Sequence, residues 1–115
     1  MEILRKIVIK ERDIDDIMVT ALEGGINYWC DSVDINSNPA NKEYASEVIA
    51  YGGELGLNSM EGGKFVLYRN MVVDGIDKAM THFGYDSFDS FMDNLDADLA
   101  DAIVQFAIFH ELRFG

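Results

Sequence analysis

The residues of this sequence best suited to chemistry lie in one short segment, residues 23–29, where a predicted helix ends and a predicted strand begins. Two aromatic rings and an amide follow a pair of glycines there. An aromatic ring can stack on a flat heterocycle, which contributes roughly 1–3 kcal/mol per base, while an amide bonds to polar edges. Two interpretations stay open. The segment is either a turn that leads into a core aromatic, or a binding platform on which a flat ring stacks on Tyr28 or Trp29 while the Asn27 amide bonds to its polar edges.

Arginine side chains form the second candidate group, because basic residues are scarce. The chain has 21 acidic and 9 basic residues, which gives a net charge of −12. Arg113 follows the most apolar predicted helix, close to His110, and an arginine there can either cap the helix or clamp a phosphate bidentately. Arg69, where a predicted hairpin meets a helix, is the other candidate. Phe91 and Asn94 add a further ring and a further amide to the candidate ligand-binding residues, which also include His110.

The many carboxylates could bind metal ions, but their spacing does not match the known metal-binding motifs. The spacing of Asp34, Asn36 and Asn38 opens like a calcium loop, but Pro39 stands where that loop needs glycine and Ala45 where it needs a bidentate glutamate. One cysteine and two well-separated histidines argue against a zinc site. Helix caps and solvated faces are the ordinary explanation for these acids, so no metal is predicted.

Catalytic groupings are equally weak. Cys30 with His82 or His110 could form a thiol–imidazole pair, but a lone cysteine is more often a small buried thiol. The sequence contains no Gly-x-Ser-x-Gly elbow and no phosphate-loop pattern. We therefore expect a binding protein rather than an enzyme, with neither a cofactor nor catalytic residues.

Charge and composition narrow the classes of partner. A net charge of −12 disfavours DNA, RNA and anionic membrane surfaces, since their binding depends on Lys and Arg near phosphates. The single cysteine allows no intrachain disulfide, and the sequence shows neither a secretory signal pattern nor an apolar run of the ~20 residues that span a bilayer. These features predict a cytoplasmic protein.

Periodicity predicts the elements that position these residues. A first strand is predicted over residues 2–10. A helix is predicted to begin at Asp13, because apolar residues then recur at intervals of three and four, and to end at Gly24 and Gly25.

A second strand is predicted over residues 26–35, which are rich in aromatic and β-branched side chains. On such a strand Tyr28 and Trp29 would face opposite sides, and Asn27 would share the face of Trp29. A loop over residues 36–39 would follow.

The remaining pattern predicts one antiparallel hairpin among helices. The predicted elements are a short helix over residues 42–50, a hairpin that turns at residues 60–63, a helix that ends at Gly84, a single helical turn capped by Ser87, and a last helix from Asp96 to about Leu112. That last helix is apolar nearly all round, so a second subunit should cover part of it. The fold class is a small single α+β domain, residues 1–115, with a short antiparallel sheet packed by helices and a long apolar helix at an oligomer interface.

Three stretches of the chain resemble small phage and prophage proteins. They are residues 13–30, residues 45–53 with the hairpin that follows, and residues 73–76. The chain resembles the type 1 Thoeris anti-defence family from Asp13 to about Phe109, and its most specific stretch is ALEGGINYW, residues 21–29.

This resemblance implies a phage protein that works in the host cytoplasm. Such proteins bind the cyclic ADP-ribose isomers made by bacterial TIR-domain enzymes and do not cleave them, so the downstream effector is not activated. The resemblance also implies a homodimer or higher homo-oligomer with recessed pockets near the subunit interface. Some members also take up cyclic oligonucleotides at separate sites. It assigns residues 23–29 to the site, including Glu23 and Gly25, whereas the other candidates rest on chemistry: an aromatic for the base, an amide for the riboses and an arginine for the pyrophosphate.

Two other functions stay open at this point. One is an acidic inhibitor of a host nuclease or regulator that mimics nucleic acid, which the net charge and the carboxylates between Asp86 and Asp101 favour. The other is an enzyme that hydrolyses the nucleotide.

Overall fold

Five α-helices and three β-strands make up residues 6–115, the part of the chain that the computed structural model describes. The elements are α1 (Glu11–Thr20), a π-helical turn (Ala21–Gly25), β1 (Cys30–Ser37), α2 (Ala45–Ala50), β2 (Glu54–Ser59), β3 (Lys64–Tyr68), α3 (Arg69–Phe83), α4 (Phe88–Asp93) and α5 (Ala97–Phe109). The predicted α+β class is confirmed. Within these residues no helix is long and apolar enough to cross a bilayer.

The sheet is antiparallel, in the order β1-β2-β3, and its central strand is the most deeply buried. Leu55 pairs with Leu67, and both side chains, like that of Leu57, are fully buried. The alternation of apolar residues across the glycine-rich turn therefore predicted this hairpin correctly.

Local capping signals set the helix ends as predicted. Gly84 ends α3 in the left-handed conformation, with φ of 76°. The Ser87 hydroxyl accepts a hydrogen bond from the Ser90 amide at 3.2 Å and so begins α4. The Asp96 carboxylate accepts one from the Leu99 amide at 2.8 Å and begins α5.

Helix α5 is the centre of the core. All nine residues from Leu99 to Ala107 are buried within a single chain. Helix α3 approaches closely because Gly75 has no side chain: a Cβ there would lie 2.4 Å from the Ile103 carbonyl oxygen. Helices, the π-helical turn and the sheet thus cover the apolar helix, and its burial needs no second subunit, contrary to the reason given above for expecting one.

The predicted first strand is wrong where it can be checked. Residues 6–10 form no strand, and residues 2–5 lie outside the described residues. Helix α1 begins at Glu11, two residues before the predicted start. Asp13 lies inside the first turn, where its carboxylate accepts a hydrogen bond from the Lys10 amide at 2.9 Å.

The predicted second strand starts too early. Residues 26–29 form a turn in which the amides of Trp29 and Cys30 both donate to the Ile26 carbonyl, at 3.1 and 2.8 Å. Strand β1 begins only at Cys30 and continues through Ser37, into the predicted loop. Tyr28 and Trp29 therefore do not alternate on a strand, and exposed Asn27 shares no face with buried Trp29.

Two helices are shorter than predicted. Helix α2 begins at Ala45 rather than residue 42, because the preceding loop bonds to itself: the Asn38 amide group donates to the Lys42 carbonyl and accepts from the Lys42 amide, both at 2.9 Å. Helix α5 ends at Phe109 rather than Leu112, since His110 takes a left-handed φ of 61°.

Candidate functional site

The π-helical turn brings the predicted binding segment against α5. A Cβ at Gly25 would lie 2.7 Å from the Ala97 carbonyl oxygen and 3.3 Å from the Asp101 amide, so only glycine permits this approach. The turn that follows directs Tyr28 and Trp29 onto the middle of α5. We call Tyr28, Trp29, Asp101, Gln105, Phe109 and Phe114 the Trp29 cluster.

The Asp101 carboxylate is the hub of the Trp29 cluster. Its Oδ1 accepts from the Trp29 indole N–H at 2.8 Å and from the Gln105 side-chain amide at 2.9 Å. Its Oδ2 accepts from the Tyr28 hydroxyl at 2.5 Å. Asp101 is only 8% exposed, and these three neutral donors stabilise its buried carboxylate.

Gln105 ties the segment after α5 into the same network. Its Oε1 accepts from the backbone amides of Arg113 and Phe114, at 2.7 and 2.8 Å. Its Nε2 also lies 3.1 Å from the Tyr28 hydroxyl and 3.3 Å from the Phe114 carbonyl. One buried amide therefore holds residues 110–115 against the turn that carries Tyr28.

The Trp29 indole is not free to bind a ligand. Its ring is stacked on that of Phe114, with centroids 5.0 Å apart and planes inclined by 11°, and Phe109 meets it edge-on at 5.8 Å. Only 2% of Trp29 is exposed. For Trp29, the interpretation as a core aromatic is confirmed.

Three predicted ligand-binding residues at the edge of the Trp29 cluster are exposed: Asn27, Tyr28 and Arg113. Tyr28 is 49% exposed, although burial of part of the ring and the adjacent Asp101 raise the pKa of its hydroxyl to about 12. The exposed Arg113 guanidinium lies over the Phe109 ring, 4.1 Å from its centroid. Gln105 bonds to both residues, and exposed Asn27 precedes Tyr28 in the turn. We call Asn27, Tyr28 and Arg113 the Tyr28–Arg113 surface.

Four other predicted residues have local structural partners away from this surface. The Arg69 guanidinium donates to the Ala50 carbonyl at 3.0 Å, and the Asn94 amide donates to the Ser90 carbonyl at 2.8 Å. Phe91 is a fully buried core residue. His110 ends α5, with its imidazole directed to Asp74 of α3 at 4.0 Å.

Glu23 belongs to a different place, a cavity between α1 and α2. We call it the α1–α2 cavity. Its volume is about 510 Å³, and it is lined by Asp15, Val19, Leu22, Glu23, Tyr44, Ala45, Ser46 and Glu47. Three of these side chains are carboxylates and none is basic, which does not suit a pyrophosphate. The binding segment predicted as one site is thus divided between two regions.

Asp101, Gln105 and Phe114 were not predicted from the sequence as partners of the segment that carries Tyr28 and Trp29. A signal for the first two exists: a carboxylate and an amide stand four residues apart in an otherwise apolar helix, so they share a face and need hydrogen-bond partners there. Their partners lie 72 to 77 residues away in the chain, and no local pattern indicates them.

Residues 6–115 show no arrangement of side chains suited to binding a metal ion or to thiol chemistry. No group of three or more His, Cys, Asp or Glu side chains there is arranged to hold a metal ion. Cys30 is a free, buried thiol, and burial raises its pKa, so the reactive thiolate is disfavoured.

Comparisons with protein-family models, with curated proteins and with solved structures find no match for this chain.

Proposed function

We propose that this protein binds a cyclic ADP-ribose-type nucleotide without cleaving it, and that the Tyr28–Arg113 surface is its part of the site. One observation carries the proposal: the buried Gln105 side chain bonds both to the half-exposed Tyr28 and to the backbone of the exposed Arg113, in a chain of net charge −12. The resemblance of residues 21–29 to the Thoeris anti-defence family adds independent support for the ligand class.

The chemistry of this surface matches the three parts of such a ligand. The Tyr28 ring offers a face for the base, the Asn27 amide offers a donor and an acceptor for the riboses, and Arg113 can pair with the pyrophosphate. The Tyr28 hydroxyl is already bonded to Asp101 and Gln105, so its ring is fixed before binding. A fixed ring loses less conformational entropy when the ligand binds.

The surface is half of an enclosed site. A protein that removes a signal without turning it over must bind at nanomolar concentration, which corresponds to about 12 kcal/mol. Both Tyr28 and Arg113 are exposed, and enclosure of a ligand needs a second wall. We infer that a second copy of the chain supplies that wall, so the binding form is a homodimer or a higher homo-oligomer.

Calorimetry with cyclic ADP-ribose isomers tests the site directly. We expect nanomolar binding by the wild type and, for Arg113→Ala, affinity lower by roughly tenfold to a hundredfold, because a charge-assisted hydrogen bond is lost. Arg12→Ala is the matched control, since Arg12 is also exposed and lies on α1. Binding weaker than micromolar for every isomer, or sedimentation of a strict monomer with ligand present, would refute the proposal.

The variant Arg69→Ala tests whether Arg69 stabilises the fold or binds the nucleotide. Arg69→Ala removes the hydrogen bond to the Ala50 carbonyl, and we expect it to lower the free energy of unfolding by about 1 kcal/mol. Nucleotide affinity should not change. A loss of affinity with unchanged stability would instead indicate that Arg69 binds the pyrophosphate.

Recovery of the bound nucleotide distinguishes a protein that sequesters it from an enzyme that hydrolyses it. We expect that heating the protein–nucleotide mixture releases the nucleotide intact, as judged by chromatography against the untreated compound. Recovery of a hydrolysed product would establish an enzyme and overturn the sequestration part of the proposal.

Exposed carboxylates near α4 and α5 keep the acidic-inhibitor function as a second candidate. Asp89, Asp93 and Asp98 are exposed, and none of them forms an ion pair within residues 6–115. Asp96 and Asp101 are committed to a helix cap and to the Trp29 cluster. This function predicts binding to a basic protein that weakens steeply as salt concentration rises, with no nucleotide bound.

A further inference from the structure

We propose that the α1–α2 cavity binds a small organic cation with an apolar body. The cavity lies where the end of α1 and the π-helical turn face the start of α2. Val19, Leu22 and Ala45 supply apolar walls, and the exposed Tyr44 adds an aromatic ring. A volume of about 510 Å³ lies within the usual range of small-molecule sites.

Charge decides which occupant fits. Asp15, Glu23 and Glu47 line the cavity with no basic residue among them, and none of the three forms an ion pair within residues 6–115. The Asp15 Oδ1 atom is also buried without a hydrogen-bond partner. A buried carboxylate oxygen without a partner is unfavourable, so an ammonium or guanidinium group near it would stabilise the site.

The walls favour an organic cation over a metal ion. Metal ions such as Ca²⁺ take six to eight oxygen ligands, but half of this cavity's lining is aliphatic or aromatic. No cluster within residues 6–115 has the arrangement of acids, histidines or cysteines that holds a metal. An amine with an apolar body can instead use both parts of the cavity, and the Tyr44 ring can contribute a cation–π contact. This site is independent of the nucleotide proposed above, which is anionic.

Nuclear magnetic resonance titration tests the cavity with defined probes: phenethylammonium, tyramine and agmatine. We expect shifts of the Val19, Leu22 and Ala45 methyl signals and dissociation constants of about 1 mM or tighter. The neutral isostere 2-phenylethanol is the ligand control and should bind at least about threefold more weakly than phenethylammonium, because it lacks the charge.

Charge-neutralising variants locate the effect. Glu23→Gln should weaken binding of the best cation by roughly threefold to fivefold, since Glu23 is exposed and its pairing is partly screened. Glu61→Gln is the matched control, because Glu61 is an exposed glutamate in the hairpin turn and does not line the cavity. Absence of methyl shifts with all three cations, equal binding of 2-phenylethanol, or an equal effect of Glu61→Gln would each overturn the proposal. None of these results bears on nucleotide binding.

Discussion

The Trp29 cluster and the α1–α2 cavity both place carboxylates against apolar surface, but the carboxylates differ in their hydrogen-bond and ion-pair partners. Asp101 receives three hydrogen bonds from within the chain. Around the cavity, Glu23 and Glu47 have no ion-pair partner within residues 6–115, and one Asp15 oxygen is buried without a hydrogen bond. A carboxylate that is bonded within the chain holds the fold together, whereas one without a partner there is available to a ligand.

This difference predicts opposite consequences for mutation. Removing a partner from a satisfied network leaves donors stranded, which costs more than the bond itself contributes. Neutralising a carboxylate that has no partner within residues 6–115 strands no donor there. Variants in the cluster should therefore reduce stability, and variants in the cavity should reduce binding.

Asp101→Ala should have the largest effect. It strands the buried indole N–H of Trp29 as well as donors of Gln105 and Tyr28, and we expect unfolding free energy to fall by about 3 kcal/mol. Asp77→Ala, at an exposed position in the middle of α3, is the control. Urea denaturation measures both, and equal losses would remove the distinction between the two kinds of carboxylate.

Gln105→Leu should have the next largest effect. The substitution keeps a side chain of similar size in the core but releases the amides of Arg113 and Phe114, and we expect a loss of about 2 kcal/mol. Hydrogen exchange should accelerate at those two amides and remain slow at Ile76 in α3. Unchanged exchange at residues 113 and 114 would show that Gln105 does not hold the segment.

Tyr28→Phe should have an effect that depends on pH. The Tyr28 pKa rises from 10.0 to about 12 on folding, because of burial first and of Asp101 second. The unfolded state therefore loses its proton first, and stability present below pH 10 is lost as the pH rises toward about 12. We expect the variant to show a smaller decline of the urea midpoint over this range. Tyr44→Phe, at an exposed position, is the control, and identical declines in all three proteins would contradict the assignment.

Glu23→Gln should have the smallest effect on stability, within about 0.5 kcal/mol of the wild type. It removes one of three carboxylates from the α1–α2 cavity, and the Glu23 side chain makes no hydrogen bond within residues 6–115 that the substitution could break. Thermal unfolding measures it. A loss comparable to that of Asp101→Ala would show that the cavity, too, is a structural network.

Local signals in the sequence were sufficient where neighbours along the chain decide the structure. The hairpin, the left-handed end at Gly84 and the caps Ser87 and Asp96 all depend on residues within a few positions. The strand prediction was wrong for residues 26–29 because contacts with α5, more than seventy residues away in the chain, override their β-prone composition.

The candidate site was predictable only in part for the same reason. Tyr28 and Arg113 were identified by residue type, and Gln105 connects them. Four other residues of the same chemical types already contact neighbours within the fold: Trp29, Phe91, Asn94 and Arg69. Residue type shows what a side chain can bind, whereas tertiary contacts determine whether it is already bound.

The stacking of Phe114 on Trp29 provides the protein with its own optical label. The chain has one tryptophan, so all indole fluorescence comes from this position. Its emission should lie toward the blue while the ring is covered by Phe114 and its N–H bonds to Asp101, and should move to longer wavelength when residues 110–115 lift away. Docking of that segment can be followed in solution without adding any dye.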